Sequence, residues 1–209
     1  RRFDRAWLEG PSGPWLARLP QEDFCQATGT PAALKYESDG GPGIERIMSL
    51  LATSEQPQPD RRTFFLAQLI FWMLRAPDGH AKNFSLSVRP KGAYRLTPLY
   101  DVMSAWPLIG EGPGQLSEHK IRMAMAIRST NAHWKTKEIH RRHWIALGKR
   151  FGVLDDAGRD MEAILDAVIA RTPRVIAEVG AELPSDFPEP VAGPVLHGLE
   201  LAARQLAGG

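Results

Sequence analysis

A chain of 209 residues, 43% of them apolar, is long enough to bury a sizeable core, while its net charge of +2 is too small to imply nucleic-acid binding. The single cysteine, Cys25, excludes an internal disulfide framework and points to a reducing compartment. The most apolar run, residues 64–74, falls well short of the roughly 20 apolar residues a membrane helix needs.

Residues 1–20 carry two breaks, Gly10-Pro11 and Gly13-Pro14, and read as loop or a short hairpin. Residues 21–27 suggest a short helix with Cys25 as a core thiol. The breaker-rich string K-Y-E-S-D-G-G-P-G, residues 35–43, leads into a helix carrying Ile44, Ile47, Met48, Leu50 and Leu51. Such a turn offers backbone N–H groups and a positive helix end to an anion, or it simply starts the helix. Over residues 60–75 apolar side chains surround almost the whole helix, which marks a buried core element. Ala76-Pro77 ends it, because the residue before proline is pushed out of the helical region.

The string D-G-H-A-K-N follows at Asp78–Asn83. Phe84, Leu86 and Val88 then alternate with serines, a turn covers residues 89–92, and residues 94–99 return as a second strand that carries Asp101 back beside Asn83. Residues 117–127, 138–151, 156–180 and 190–207 read as helices, with Pro173 a kink or break in the third. The fold class predicted is mainly α with a small β-hairpin at its functional centre. Basic residues crowd 119–150 and acidic ones 151–209, which reads as two solvated helix faces or as a docking surface for an acidic partner.

An aspartate five residues before an asparagine, with a second aspartate beyond a hairpin, is the arrangement protein kinases use. Magnesium takes oxygen ligands and is usually held by one or two carboxylates plus substrate phosphates. Asn83 and Asp101 supply such oxygens and leave Asp78 to orient an attacking hydroxyl. Within the same loop, Lys82 either neutralises a phosphate oxygen or pairs with a nearby carboxylate. His80 reads as a structural hydrogen-bonding residue ahead of a proton shuttle. A metal-dependent phosphohydrolase is a competing reading, as is a metal site from His133, His140 and His143.

K-Y-E-S-D-G-G-P-G, D-G-H-A-K-N-F-S and Y-R-L-T-P-L-Y-D, with the opening R-F-D-R and L-P-Q-E-D-F-C-Q, resemble the C-terminal catalytic region of HipA-family serine/threonine kinases. These are toxins of bacterial type II toxin–antitoxin pairs. The resemblance implies that residues 1–209 are the helical large lobe of a divergent protein-kinase-like fold, with the small nucleotide-binding lobe upstream of Arg1. It implies ATP and Mg²⁺ as cofactors, Asp78 as catalytic base with His80 and Lys82 in its loop, Asn83 and Asp101 as metal ligands, and Phe3 with Asp4 along the nucleotide pocket. It further implies a cytoplasmic protein with a DNA-binding antitoxin partner, DNA contacted only through that partner, and a protein substrate such as an aminoacyl-tRNA synthetase. The alternative is a catalytically incomplete lobe that binds an antitoxin or another partner.

Overall fold

The computed structural model describes residues 2–208, which form two compact units: residues 2–64 with 80–101, and residues 65–79 with 102–208.

In the first unit the opening breaks resolve into an antiparallel hairpin, β1 (Arg5–Gly10) and β2 (Gly13–Arg18), in which Trp7 faces Leu16 and Leu8 faces Trp15. The short element expected at residues 21–27 divides into β3 (Gln21–Asp23) and α1 (Phe24–Ala27). Asp23 ends the strand by capping the helix: its carboxylate takes the Gln26 N–H while the Gln26 amide oxygen takes the Asp23 N–H, both at 2.9 Å. Helix α2 (Ile44–Leu51) buries Ile44, Ile47, Met48 and Leu51, a 3.6-residue stripe. The hairpin read from the alternating apolar residues is present as β4 (Ser85–Val88) and β5 (Tyr94–Leu96), and β3 adds a third antiparallel strand beside β4. Phe24, Phe64 and Phe84 pack edge-on or tilted with ring centres 5.0–6.5 Å apart and anchor this sheet.

The core helix α3 runs Pro57–Met73 and contributes to both units. In the second unit its Phe65 and Trp72 rings meet Trp144 at 5.9 and 6.1 Å. It ends as the sequence predicts, though Arg75 itself makes the turn: Arg75 sits at φ 52° and Ala76 N–H reaches back to the Phe71 carbonyl at 2.8 Å. A left-handed arginine is costly. Here the guanidinium lies about 5 Å from both the Trp72 and Trp106 rings and donates to Gln205 at 2.7 Å and Glu118 at 3.3 Å.

Residues 117–127 correct the sequence reading. They form a 3-10 turn and then β6 (Arg122–Arg128), paired with β7 (Ala132–Lys135). The helix propensity of Met-Ala-Met-Ala is a weak prior, and it yields to a strand whose residues Met123–Ile127 are all buried and whose return is set by Ser129-Thr130-Asn131. Helices α4 (Arg141–Phe151), α5 (Met161–Glu182) and α6 (Glu189–Ala207) complete the unit. Of the kink or break expected at Pro173, the break is absent: helix α5 continues through it. About half the chain is thus helical, and among the described residues the expected central hairpin is accompanied by further strands, giving three small sheets. Among the described residues no helix is long and apolar enough to cross a membrane.

Candidate functional site

Asn83 ends a 3-10 turn, Ala81–Asn83, that opens directly into β4. The β4–β5 hairpin then returns the chain, and Asp101 arrives beside Asn83, whose Nδ2 donates to Asp101 Oδ2 at 2.9 Å. Asp101 holds φ 54°, a left-handed conformation that an aspartate tolerates better than most residues. Asn83 is buried while Asp101 is exposed, so the pair presents oxygen at a surface from a fixed base. Asn83 Oδ1 and Asp101 Oδ1 accept no hydrogen bond from the described residues. Two adjacent, uncommitted oxygens, one of them on a carboxylate, suit a hard divalent cation whose remaining ligands are phosphate and water. Among the described residues no group of three or more His, Cys, Asp or Glu could hold a metal alone.

The turn carrying Asn83 is held from several sides. Lys82 donates to Asp23 Oδ2 at 2.6 Å, so of the two roles left open by the sequence the structure realises the ion pair. The hydrogen bond to Asp23 also raises the Lys82 ammonium above the ordinary lysine value. The Tyr100 hydroxyl donates to the Lys82 carbonyl at 2.9 Å and meets Ser85 Oγ, and burial pushes its phenol up so that it stays protonated. His80, buried, meets the Tyr36 ring edge-on at 5.1 Å, and the Ala81 N–H donates to the Lys35 carbonyl at 3.3 Å. The K-Y-E-S-D-G-G-P-G string therefore buttresses this turn. The end of α2, read either as an anion site or as a plain helix start, has the Glu37 carboxylate against it: a Cβ on Gly43 would stand 2.3 Å from the Glu37 carboxyl carbon.

Phe3 and Tyr100 pack tilted at 5.8 Å and line a cavity of about 430 Å³ with Leu99, Gln21, Arg2 and Asp4. The Asp4 carboxylate is committed elsewhere. Arg2 grips it with two bonds of 2.8 Å and Arg5 pairs with it as well, holding its carboxyl down at about 2, while the Asp4 carbonyl takes the Leu19 N–H. Asp4 is thereby a clasp for the base of the β1–β2 hairpin. Asp78 is half-buried in the turn after α3, in the second unit. Beside it Gly79 has no room for a side chain, since a Cβ there would lie 2.2 Å from the Phe71 ring.

The histidines considered as metal ligands do come together, but as packing. His133 and His143 stack at 3.9 Å, and His143 Nδ1 accepts the His140 N–H at 3.1 Å. Burial, with His133, Arg142 and His140 nearby, holds the His143 imidazole down at about 4.

Residues 1–176 match the model of the HipA-like C-terminal domain. The chain belongs to that family. Over 88 residues, 42% of this chain and 21% of the relative, it is 39% identical to a Sinorhizobium fredii (strain NBRC 101917 / NGR234) protein named "Putative kinase Y4mE". Among solved structures, a chain of the Shewanella oneidensis MR-1 toxin–antitoxin complex of HipA, HipB and its operator DNA superposes with a TM-score of 0.77 at 21% identity. That match covers 99% of this chain and 48% of the other, so the HipA-like chain spans about half the length of that solved relative.

Three residues of this HipA-like site escaped the sequence reading: Asp23, Tyr36 and Tyr100. Asp23 was legible as the first member of an Asp-x-x-Gln capping box before Phe24-Cys25. Tyr36 and Tyr100 act through contacts distant in sequence and left no local signal.

Proposed function

We propose that this chain is the catalytic lobe of a serine/threonine protein kinase, a toxin of a type II toxin–antitoxin system, that transfers the γ-phosphoryl group of ATP to a protein serine. The observation that carries the reading is the Asn83–Asp101 pair, 2.9 Å apart at the end of a hairpin, with one oxygen on each side chain uncommitted. Bound there, Mg²⁺ would neutralise charge on the transferring phosphoryl group. Asp78, by its spacing from Asn83, accepts the proton of the substrate hydroxyl as the new P–O bond forms and the bond to ADP breaks. Lys82, tied to Asp23, and His80, packed on Tyr36, hold the loop in shape. The Phe3–Tyr100 cavity receives the adenine ring. The family relationship supports residues 1–209 acting beside a small lobe, a DNA-binding antitoxin partner through which alone DNA is reached, a translation component such as an aminoacyl-tRNA synthetase as substrate, and a cytoplasmic location.

The test is transfer of label from γ-labelled ATP to protein, with the chain alone and within any longer protein that carries it. Asp78→Asn and Asp101→Ala each lower transfer by about 10² to 10⁴ without changing the unfolding midpoint. Undiminished transfer in either variant overturns the assignment of that residue, and no transfer in any form overturns the kinase reading. One observation favours the alternative of a partner-binding lobe: the β1–β2 hairpin leaves Trp7, Leu8, Trp15 and Leu16 exposed.

A further inference from the structure

One face of the β4–β5 hairpin is polar and lines a cleft. Strand alternation places Ser87 and Arg89 on the same side of one strand and Arg95 and Thr97 on the same side of the other, and Ser87 stands directly opposite Arg95. These four side chains line a cleft of about 420 Å³, closed by Phe3 and by Thr63 of α3. Its volume lies in the range of small-molecule sites.

The polar groups in this cleft are unevenly satisfied. Arg89 pairs with Glu55 at 3.2 Å. Asp60, also in the wall, accepts the Leu96 N–H at 3.2 Å and lies in the first turn of α3, where the helix dipole favours a carboxylate. The Arg95 side chain has neither a hydrogen bond nor an ion pair with any described residue, and its Nε is buried. Thr97 is 3% exposed, and its hydroxyl has no partner. A buried hydroxyl and a half-buried guanidinium without partners are both costly, and in native structures such groups are rarely left so. An anion between them removes both penalties with charge-assisted bonds, while Phe3 and the prolines Pro59 and Pro98 offer apolar walls.

We infer that this cleft is a binding site for a small organic anion, a carboxylate or phosphate on an apolar body, held by Arg95 and Thr97 on the far side of Phe3 from the Tyr100 cavity. The site does not depend on the chain's being a kinase. Its test is titration of the full chain with benzoate, phenyl phosphate and neutral benzyl alcohol, followed by calorimetry and by backbone amide shifts at residues 87–97. At least one of the two anions binds more tightly than the alcohol, and which one identifies the anionic group. Arg95→Gln weakens that binding by about tenfold and Thr97→Val by about threefold, with neither unfolding midpoint lowered and that of Thr97→Val raised by removal of the unpartnered hydroxyl. The proposal is overturned if neither anion outbinds the alcohol, if both variants bind as the unaltered chain does, or if ATP displaces the anion.

Discussion

Two arginines show how differently the two units treat a charge. Arg75, at the end of α3, is 2% exposed, flanked by two indoles and bonded to Gln205 and Glu118. Arg95, on β5, is half-buried beside an opening and has no partner among the described residues. The first arginine is part of the packing that ends a core helix, and removing it leaves a hole and stranded acceptors. The second is held in place by its strand and contributes little to the fold. Charge committed to internal partners supports structure; charge left open at a cleft is available to a ligand.

The contrast can be broken most directly at Arg75. Arg75→Ala costs about 2–4 kcal/mol in urea unfolding, through lost cation–π contacts and a cavity; a loss below about 0.5 kcal/mol would erase the distinction. Gly79→Ala costs about 1–3 kcal/mol by driving a methyl into the Phe71 ring, and Phe71→Leu in the same chain recovers part of the lost thermal midpoint. His143 sharpens the comparison through pH. Because its folded value, about 4, lies below the ordinary histidine value, the unfolded chain takes up the proton first on acidification. Its contribution is therefore complete above about pH 6.5 and shrinks as pH falls towards about 4, and His143→Gln flattens that part of the midpoint profile. The smallest effect is at the cleft, where Arg95→Gln shifts stability by less than about 0.5 kcal/mol while weakening anion binding.

Most of the site's scaffold was legible because it is written locally. The apolar circumference of residues 60–75, the proline after Ala76 and the alternation at residues 84–88 gave the core helix, its end and the hairpin that returns Asp101 to Asn83. The partners of Lys82 and Asp4 were not legible, since Asp23 lies 59 residues from Lys82 and nothing in R-R-F-D-R says that Asp4 closes a hairpin. Strand β6 was misread because Met and Ala favour helix in isolation, and only pairing with β7 and burial of Met123–Ile127 decide otherwise. The polar face of β4–β5 was half visible in Ser85 and Ser87, but a serine in a strand does not announce a cleft.

The β1–β2 hairpin leaves its two indoles, Trp7 and Trp15, 70% and 53% exposed, while Trp72, Trp106 and Trp144 are buried. Intrinsic fluorescence of this chain thus adds both populations to a half-buried sixth indole, Trp134 of β7, and a water-borne quencher such as iodide reaches the hairpin indoles but not the three buried ones. Whatever docks on that ribbon, an antitoxin or the rest of a longer polypeptide, would shield the quenchable fraction and announce itself optically, with no label attached.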